Sequence, residues 1–332
     1  MKQIVIIGAG AAGILLLLCL EKAGIQPEQI TVIDPYFDGG DLMRKWSHIR
    51  SNTVWRQILE ACPSRKALIE PFRSLVPEQI CELRHIASYL LFCVKPFLSN
   101  CNTKNTSATT ATQTKTGQWS VQLKNSSTPI IADVLIVATG SEPKTMDLPF
   151  SCIPLDIALD PFTLGHYVTP DDNVLVFGTA HSGTLIVQNL LDKNVKTITN
   201  FYATPKPFYF ARDGEYDGIK QEAATIADKI LANTYPNVEL VPITDIASVI
   251  RTTKRADKVI YATGFEKRES LGLSMEYDGA TGRLKNYTNA WGFGIAFPNL
   301  ADDGKHWDVS VPSFMAHIQK QLPDILSSLR IE

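Results

Sequence analysis

The chain has 332 residues, 45% of them hydrophobic, so it can bury extensive cores and we expect about two folded domains. Its formal net charge is -2 and it has no dense run of lysine and arginine, which argues against a nucleic-acid partner. The six cysteines show no Cys-x-x-Cys spacing and the six histidines show no His-x-x-x-His spacing, so we predict neither a metal site nor a thioredoxin-like redox pair. The thiols are expected to be reduced and mostly buried.

An apolar run over residues 4–20 follows one lysine near the N-terminus and resembles the core of a secretory signal peptide. Three glycines interrupt the run, however, and no small-residue cleavage site precedes Glu21 and Lys22. We therefore predict a strand over Ile4–Ile7, a helix through Leu20, and a cytoplasmic protein that is not inserted in a membrane.

A glycine-rich turn joins this strand to this helix, with the sequence Gly8-Ala9-Gly10-Ala11-Ala12-Gly13. Gly8 permits a tight turn, Gly10 lets the backbone approach a pyrophosphate, and Gly13 lets the helix pack closely on the sheet. The helix N-terminus would face the phosphates with unpaired N–H groups and a favourable dipole. A second strand over Ile30–Ile33 leads to Asp34, an acid placed to bind ribose hydroxyls, so this segment predicts a Rossmann-type dinucleotide site.

A second segment, beginning at Val174, repeats this layout of strand, glycine-rich turn, apolar helix and strand. Its turn has the sequence Gly178-Thr179-Ala180-His181-Ser182-Gly183. A strand ending in Ala-Thr-Gly follows each segment, and the residues there that we expect to contact a cofactor are Ala138, Thr139 and Gly140 in the first case and Thr263 and Gly264 in the second. The continuous Val/Ile runs predict strands that are buried on both faces of parallel sheets.

These patterns predict an α/β fold with two Rossmann-like dinucleotide-binding domains, the second inserted in the first. The FAD-binding domain would comprise residues 1–149 and 257–332, with a small β-meander at about residues 100–131 and a helix from Pro312 to the C-terminus. The NAD(P)-binding-like domain would comprise residues 150–256. Residues 143–170 are interpreted as a linker into this domain, and the first sheet is expected to resume at Val259.

The second loop differs from the first at Ala180, where a glycine usually leaves room for a pyrophosphate. The strand that follows ends in Asn200-Phe201-Tyr202, which offers neither an acid for a ribose 2'-hydroxyl nor an arginine for a 2'-phosphate. His181 either contacts nicotinamide or flavin or is a helix-start histidine bonded to the backbone. We predict that NAD(P)H binds here, with a decayed nucleotide site as the alternative.

Taken in order, the motifs resemble those of the flavin-containing monooxygenases and related N-hydroxylating or Baeyer-Villiger enzymes, a branch of the glutathione-reductase-like flavoproteins. The motifs that carry the resemblance are the Gly8 loop with Asp34, Gly39-Gly40 with Trp46, Ser51-Asn52-Thr53, Tyr89-Leu90, Trp119-Ser120-Val121, Ala138-Thr139-Gly140, the Gly178 loop, and Ala262-Thr263-Gly264-Phe265. The resemblance implies FAD on the first unit and NAD(P)H on the second, and it adds Gly40, Trp46 and Thr53 to the residues expected near the cofactor.

The resemblance also implies roles for two further residues. Asn52 would lie over the flavin and help to position nicotinamide and the oxygenated flavin, which makes it the one candidate catalytic residue. The alternative is an Asn-Thr cap on a helix over residues 54–61. Residues 291–296 would form the last strand of the FAD domain. The helix that follows residues 308–311 would point its N-terminus at the flavin ring, where its dipole stabilises negative charge and where Val311 is expected near the cofactor.

The leading functional hypothesis is an FAD-dependent oxidoreductase that takes hydride from NAD(P)H and passes its electrons to oxygen, as a monooxygenase does; one oxygen atom then goes to a small-molecule substrate and the other leaves as water. The second hypothesis is a flavin reductase or dehydrogenase without oxygen transfer, although the absence of Cys-x-x-Cys argues against disulfide reduction. The third is an FAD-holding binding protein whose nicotinamide site has decayed.

Overall fold

A computed structural model describes residues 1–147, 149–208, 211–212, 215–216, 222–268, 271–301, 304 and 307–329. The chain divides into two compact units. Unit 1 comprises Met1–Glu142 and Glu266–Glu332, and unit 2 is the intervening segment Pro143–Phe265. Each unit is built on a five-stranded sheet of its own.

The strands of the described residues are, in chain order, β1 (Ile4–Ile7), β2 (Ile30–Ile33), β3 (Arg50–Val54), β4 (Ile80–Glu82), β5 (Asn102–Lys104), β6 (Ala108–Gln113), β7 (Trp119–Leu123), β8 (Ile130–Ala132), β9 (Val134–Val137), β10 (Ser141–Pro143), β11 (Ser151–Cys152), β12 (Asn173–Phe177), β13 (Thr197–Tyr202), β14 (Ala211–Arg212), β15 (Glu215–Tyr216), β16 (Val238–Pro242), β17 (Lys258–Tyr261), β18 (Phe265–Lys267), β19 (Ala290–Gly292), β20 (Asn299–Leu300) and β21 (Trp307–Asp308). The α-helices are α1 (Ala11–Lys22), α2 (Asp41–Arg44), α3 (Trp55–Ala61), α4 (Leu83–Leu98), α5 (Leu155–Leu159), α6 (Pro161–Leu164), α7 (His181–Asp192), α8 (Glu222–Leu231), α9 (Ile246–Thr253) and α10 (Val311–Leu329). Short 3-10 helices cover Pro27–Gln29, Arg65–Leu68 and Phe72–Ser74.

The sheet of unit 1 has the strand order β19-β9-β1-β2-β5, and every neighbouring pair is parallel. In the central strand, Ile4 and Ile6 pack in one hydrophobic cluster with the helices α1, α4 and α10. Val5 and Ile7 pack in another cluster with residues of the antiparallel sheet β6-β7-β8. Both faces of β1 are therefore buried, which explains why its sequence is apolar without alternation.

Helix α1 is apolar on nearly every side because it packs against the sheet, α4 and α10. The fully buried residues of this helix are Ile14, Leu15, Leu16, Leu17 and Leu20. A helix that is hydrophobic all round is typical of a protein core. The run that resembles a signal peptide is thus the central strand and first helix of unit 1. Within the described ranges, no helix combines the length and the apolar composition required to cross a membrane.

The sheet of unit 2 has the strand order β11-β17-β12-β13-β16 and is also parallel. A row of aromatic rings crosses it: the ring centroids of Phe201 and Phe177 are 4.7 Å apart, and those of Phe177 and Tyr261 are 5.4 Å apart. Helix α7 packs against β12 and β13. The predicted fold class, with two Rossmann-like parallel sheets and a small β-meander, is confirmed.

The predicted return to the first domain at residue 257 is wrong. Strand β17 does not resume the first sheet at Val259, because Tyr261 pairs with Phe177 of β12 in unit 2 and unit 1 resumes only at Glu266. An apolar run such as Val259-Ile260-Tyr261 suits a strand buried on both faces of either sheet, so its hydrophobicity does not specify which sheet it joins.

Three other predicted boundaries also differ from the structure. Unit 2 begins at Pro143 rather than residue 150, and residues 143–170 are more than a linker because β11 pairs with β17 and is followed by α5 and α6. The antiparallel meander begins at Ala108, since β5 pairs with β2 in the main sheet. A three-residue strand such as β5 is too short to show a hydrophobic period. Helix α10 starts at Val311, and the last three residues of the predicted helix lie outside the described residues.

His317 of α10 is a buried titratable group in the core of unit 1. It is 3% exposed, and its ring lies edge-on to Phe293 with the ring centroids 5.4 Å apart. Burial, and secondarily the charge of Lys320, lower the pKa of His317 below its usual 6.5. The folded chain therefore keeps this imidazole neutral at a pH where the unfolded chain protonates it.

We predict that His317 contributes an acid-dependent loss of stability. The contribution of neutral His317 to the free energy of unfolding is complete above pH 6.5. It is lost as the pH falls below that value, because the unfolded chain then binds a proton at this histidine that the folded chain does not bind. The free energy of unfolding in urea, measured between neutral and mildly acidic pH, should fall more steeply for the wild type than for His317→Gln. His166→Gln, which changes an exposed histidine, is the control and should retain the wild-type slope. Equal slopes for the wild type and His317→Gln would contradict the assignment.

Candidate cofactor sites

Gly8 and Gly13 are required by the packing of α1 on the sheet. Gly8 has φ +105°, and a Cβ atom added there would lie 2.3 Å from the carbonyl oxygen of Ala138. A Cβ atom added at Gly13 would lie 2.0 Å from the carbonyl oxygen of Gly8 and 3.8 Å from the Cβ of Ala138. These three small residues bring the first turn of α1 into backbone contact with the ends of β1 and β9.

Gly10 stands in a different environment from the other two glycines. Its backbone is extended, with φ -76° and ψ -169°, and an added Cβ atom would approach only Gly40, at 3.9 Å from its Cα. Protein packing therefore does not require a glycine here. Gly10 is also the N-cap residue of α1 and, because it has no side chain, it leaves this helix end without a side-chain cap. Open space beside the uncapped N-terminus of a helix fits the pyrophosphate of a dinucleotide.

Asp34, directly after β2, is 6% exposed and holds the loop in place. Its Oδ2 accepts a hydrogen bond of 2.8 Å from the backbone N–H of Ala9. Its Oδ1 accepts hydrogen bonds of 2.8 Å from the backbone N–H groups of Tyr36 and Phe37. Because a carboxylate oxygen has two lone pairs, the group retains acceptor capacity for a ribose hydroxyl. The sequence prediction placed Asp34 at the site but did not anticipate that it fixes the loop.

The Gly39-Gly40 turn lies against the first loop. Gly39 has φ +93° and Gly40 has φ +72°, both in the left-handed region that glycine tolerates. Gly39 forms an isolated parallel bridge with Gly10, and a Cβ atom at Gly39 would lie 3.2 Å from Leu91 of α4. Helix α2 starts after this turn. The half-buried Trp46 follows α2, and its backbone N–H donates to the carbonyl of Asp41 at 3.0 Å.

Arg268 connects the Ala-Thr-Gly segment of unit 1 to α2. Its guanidinium donates hydrogen bonds to the carbonyl of Thr139 at 2.9 Å, to Asp41 at 2.6 Å and to Glu142 at 2.5 Å. Burial alone would raise the pKa of Glu142, but hydrogen bonds from Lys45 and Arg268 outweigh it and lower that pKa. This side chain contributes to a site built from distant segments, and no motif in the sequence pointed to it.

Gly140 follows Thr139 in this segment and has φ +73°. A Cβ atom there would lie 3.5 Å from the guanidinium of Arg268 and 3.9 Å from the carboxylate of Asp41. The segment after β9 therefore turns close to the start of α2. Of the predicted site residues, the structure thus brings together Gly8, Gly10, Gly13, Asp34, Gly40, Ala138, Thr139 and Gly140.

Asn52 and Thr53 lie on β3, apart from these contacts. The alternative interpretation of Asn52 as a helix cap is wrong, because the N-cap of α3 is Val54 and makes no side-chain capping bond. The side chain of Asn52 is exposed, and its Oδ1 accepts a hydrogen bond of 3.1 Å from the hydroxyl of Thr53. The hydroxyl of Ser51 in turn donates to the carbonyl of Thr53. The hydroxyl of Thr53 therefore orients the Asn52 amide, and this amide does not cap the N-terminus of α3.

Val311 is the first residue of α10 and is 9% exposed. Helix α10 packs against α1, and the hydroxyl of Ser310 accepts a hydrogen bond of 3.2 Å from the N–H of Ser313 in its first turn. Near α1, a Cβ atom at Gly294, which follows β19, would lie 2.8 Å from the Cβ of Ala12. The segment after β19 therefore approaches the first turn of α1 closely. The predicted last strand over residues 291–296 is wrong in its bounds, because β19 covers Ala290–Gly292 and the chain turns at Gly294, which has φ +92°.

Unit 2 repeats the packing of the first loop almost atom for atom. A Cβ atom at Gly178 would lie 2.3 Å from the carbonyl oxygen of Ala262, and one at Gly183 would lie 2.0 Å from the carbonyl oxygen of Gly178. Ala180 has φ -82° and ψ -171°, which is nearly the conformation of Gly10. An alanine is therefore unstrained at this position, and its only difference from glycine is the methyl group it adds beside the N-terminus of α7.

The register of the sheets identifies the counterpart of Asp34 in unit 2. The backbone N–H of Gly8 donates to the carbonyl of Ile33, and the backbone N–H of Gly178 donates to the carbonyl of Phe201. The residues that follow these two carbonyls, Asp34 and Tyr202, therefore occupy equivalent positions in the two units. Tyr202 supplies no carboxylate for a ribose.

Asn200 supports the loop of unit 2 from inside the sheet. It is fully buried, and its amide donates to the carbonyl of Gly178 at 2.8 Å. The strand ends in Asn200-Phe201-Tyr202, so none of its last three residues is an acid or an arginine.

The remaining predicted residues of unit 2 lie at the ends of α7 and β17. His181 and Ser182 form the start of α7 and are half-buried. Thr263 and Gly264 follow β17 and are exposed, and the N–H of Lys144 donates to the carbonyl of Gly264 at 2.9 Å. The second Ala-Thr-Gly segment therefore belongs with the second loop rather than with the first sheet.

Two Rossmann-like units with glycine loops of the same geometry, one inserted in the other, define the fold of the flavoproteins that have two dinucleotide-binding domains. No protein-family model matches the chain. Its sequence is 23% identical, over 388 aligned positions, to Monooxygenase AgnR1 of Paecilomyces divaricatus, and the alignment covers 98% of each protein.

Solved structures with the same fold include both oxygenases and reductases. The flavin-containing monooxygenase from Stenotrophomonas maltophilia is 14% identical with a TM-score of 0.69, and 99% of each chain is covered. The L-lysine 6-monooxygenase from Pseudomonas syringae is 13% identical with a TM-score of 0.66, covering 99% of this chain and 100% of that one. The bacillithiol disulfide reductase Bdr (YpdA) from Staphylococcus aureus is 14% identical with a TM-score of 0.64, covering 99% of each chain. The resemblance read from the sequence is confirmed at the level of fold.

We predict that Gly13 and Gly10 respond differently to the addition of one methyl group. Gly13→Ala should lower the free energy of unfolding by about 2 kcal/mol or more, because the new Cβ would overlap the carbonyl of Gly8. Gly10→Ala should cost less than about 1 kcal/mol, because the backbone is extended and the space is open. Urea denaturation without added nucleotide measures both values. Similar losses in the two variants would contradict the distinction between a packing glycine and a ligand-facing glycine.

Proposed function

We propose that the chain is an FAD-dependent oxidoreductase that acts as an NAD(P)H-dependent monooxygenase on a small molecule. The observation that carries this proposal is the open, extended position of Gly10 at the uncapped N-terminus of α1, beside the fixed carboxylate of Asp34. The similarity to a monooxygenase along 98% of both chains supports the reaction type. Unit 1 is proposed to bind FAD and unit 2 to bind NAD(P)H.

The first loop fits FAD better than FMN. FMN has neither a pyrophosphate nor an adenosine ribose, which are the groups that Gly10 and Asp34 are placed to receive. The residues proposed to hold FAD are Gly8, Gly10, Ala12, Gly13, Asp34, Gly40, Trp46, Asn52, Thr53, Ala138, Thr139, Gly140 and Val311. When bound, the flavin supplies the hydride and electron transfer, and the protein supplies binding, orientation and electrostatics.

The chain's own groups have separable tasks in this proposal. The N–H groups of α1 bind phosphate, and the carboxylate of Asp34 accepts a hydrogen bond from ribose. The N-terminus of α10, at Val311, provides a positive dipole end that stabilises negative charge on a neighbouring ring. Asn52 is the proposed catalytic residue, since its amide is oriented by Thr53 and its side chain is exposed.

The proposed nicotinamide site comprises Gly178, Ala180, His181, Ser182, Gly183, Thr263 and Gly264. The uncapped N-terminus of α7 supports a phosphate there, as in unit 1. The methyl group of Ala180 and the replacement of an acid by Tyr202 support the alternative of a decayed site.

A reductase without oxygen transfer is the other alternative, and it is favoured by the shared fold with a bacillithiol disulfide reductase. The absence of Cys-x-x-Cys argues against a disulfide substrate.

We predict that the purified protein is yellow and releases FAD rather than FMN when it is denatured. Gly10→Val should fold but lose FAD affinity by about tenfold or more, because the branched side chain would occupy the space assigned to the pyrophosphate. The molar ratio of flavin to protein, measured by absorbance and chromatography, checks this. Ala180→Val, the equivalent change in unit 2, is the control and should keep its FAD. A full complement of FAD in Gly10→Val would refute the assignment of this site.

The reaction type is tested by adding NADH or NADPH under nitrogen and then admitting air. We expect at least one nicotinamide to bleach the flavin absorbance and air to restore it, with an oxygenated product when substrate is present. Bleaching without any oxygenated product would instead indicate the reductase. No bleaching by either nicotinamide would indicate a decayed second site.

We predict that Asn52→Ala raises the hydrogen peroxide released per NAD(P)H consumed more than it slows flavin reduction. Loss of a hydrogen-bond donor beside the flavin, worth about 1 kcal/mol and hence about fivefold, should weaken the coupling of reduction to substrate oxidation. Stopped-flow absorbance and a peroxide assay measure the two effects. Asn105→Ala, at another exposed asparagine of unit 1, is the control. Unchanged reduction rate and peroxide yield in Asn52→Ala would remove Asn52 from the proposal.

A further inference from the structure

A small cavity lies within unit 2, beside the half of its sheet where the strands begin. Its volume is about 170 Å³, and it is lined by the first half of β12 and β13, by the start of β16 and by residues in and just after the C-terminal part of α9. The glycine loop of this unit follows the other end of β12. The described lining shares no residue with the nucleotide site proposed above, so the cavity is a separate feature of this unit.

The sheet face in this cavity is polar. Alternate residues of a strand share a face of the sheet, so Thr197 and Thr199 of β13 point the same way as Phe201. Phe201 belongs to a hydrophobic cluster against which Val249 of α9 packs. The two threonines therefore lie on the face that α9 covers, where they continue the apolar surface with hydroxyl groups.

Thr199 has a buried hydroxyl group that the protein does not use. The residue is 6% exposed, yet within the described part of the chain its hydroxyl forms no hydrogen bond. Thr197 differs, because its hydroxyl donates to the side-chain oxygen of Asn173 at 2.7 Å. A buried hydroxyl without a partner costs free energy, and an acceptor placed in the cavity would remove this cost. Thr199 is thus available as a donor to a molecule in the cavity.

The charges around the cavity favour an anion. Its charged lining residues are Arg251 of α9, Arg255 just beyond that helix, and Glu239 of β16. Arg251 forms a salt bridge with Glu239. Arg255 forms no salt bridge within the described residues. The lining therefore carries one uncompensated positive charge, on a guanidinium group that can donate several hydrogen bonds.

Two neighbouring features that would repel an anion are already engaged by the protein. Asp257 accepts hydrogen bonds of 2.8 Å from the backbone N–H of Asn173 and of 2.9 Å from its side-chain amide. At the C-terminus of α9, the hydroxyls of Thr252 and Thr253 donate to carbonyl groups one turn earlier, at 2.8 and 2.7 Å. These bonds reduce the negative potential that a carboxylate and a helix C-terminus would otherwise direct at the cavity.

The size of the cavity limits its occupant. A cavity of about 150 Å³ holds a molecule of the size of benzene, whereas sites for drug-sized ligands and cofactors measure about 300–1,000 Å³. A volume of about 170 Å³ therefore suits a phosphate ion or a short carboxylic acid and excludes a dinucleotide. A mere packing defect should be lined by apolar groups or by polar groups with partners, and Thr199 and Arg255 meet neither condition.

We propose that this cavity binds a small oxyanion, carried as a phosphate or carboxylate group. Arg255 supplies the compensating charge, because a guanidinium forms charge-assisted hydrogen bonds with both kinds of group. Thr199 supplies the buried hydroxyl donor, and the salt bridge from Arg251 limits repulsion by Glu239. This site is additional to the proposed flavin and nicotinamide sites.

The test is isothermal titration calorimetry of the purified full-length protein with sodium phosphate and, separately, with sodium malonate, at one fixed ionic strength. Malonamide, which is similar to malonate in size but uncharged, is the control ligand. We expect at least one of the two anions to bind with a Kd of about 1 mM or lower and malonamide not to bind. Binding of phosphate alone would identify the ligand group as a phosphate, and binding of malonate alone as a carboxylate. The proposal is overturned if neither anion binds or if malonamide binds equally well.

Three substitutions assign the binding to this cavity. Arg255→Met keeps a long side chain but removes the cation, and should raise the Kd about tenfold or more. Thr199→Val keeps the shape of the side chain but removes the hydroxyl, and should raise the Kd about fivefold. Lys254→Met, which removes an exposed cation that does not line the cavity, is the matched control and should retain the wild-type Kd. Equal losses in Lys254→Met and Arg255→Met would overturn the proposal, as would unchanged binding in both Arg255→Met and Thr199→Val.

Two further variants separate this site from the proposed nucleotide sites. Gly10→Val and Ala180→Val obstruct the helix N-termini where pyrophosphate groups are proposed to bind, and both should retain the wild-type Kd for the anion. Loss of anion binding in either variant, with retention in Arg255→Met, would assign the anion to a nucleotide loop and overturn the proposal. Anion binding that depends on Arg255 in a protein without flavin would support this site even if the proposed oxidoreductase function failed.

Discussion

The approach of helix α1 to its sheet is the constraint on which unit 1 depends. The helix can reach the strands only because no side chain stands at Gly8 or Gly13 and only a methyl group stands at Ala138. That contact aims the first turn of α1 past the ends of β1 and β9. Asp34 then fixes the loop from the neighbouring strand, and the Gly39-Gly40 turn packs against it. Unit 2 meets the same constraint with Gly178, Gly183 and Ala262.

The two units differ on the side of the loop that packing leaves open. Gly10 and Ala180 share one backbone conformation, so the exchange of glycine for alanine costs no strain and changes only the space available to a ligand. Asp34 and Tyr202 occupy the same register position, so one unit presents a carboxylate where the other presents a phenol. Packing therefore constrains the two loops in the same way, and these two pairs of residues distinguish their open sides.

The sequence predicted the elements that depend on local pattern. The bounds of β1 and β2 are as predicted, because both strands are continuous apolar runs bounded by glycine or acid. The glycine spacing predicted both loops, and the fold class followed from their repetition. Local pattern could not predict which sheet β17 joins, because its apolar run fits either sheet and strand order is decided by long-range contacts.

Much of the candidate site was likewise outside the reach of motifs. Arg268 contacts Thr139 and Asp41 across more than a hundred residues of sequence, and an isolated arginine carries no spacing signal. Asn52 was predicted as a site residue or a helix cap, and only the observed start of α3 after Val54 excludes the cap.

The interruption of unit 1 by unit 2 has a consequence for the order of events during synthesis. The apolar strand and helix of residues 4–20 are synthesised long before their partners β19 and α10. Unit 2 is continuous in sequence and can complete its sheet while unit 1 still lacks an edge strand and a covering helix. Part of the apolar surface of residues 4–20 therefore lacks its native cover until β19 and α10 have been made.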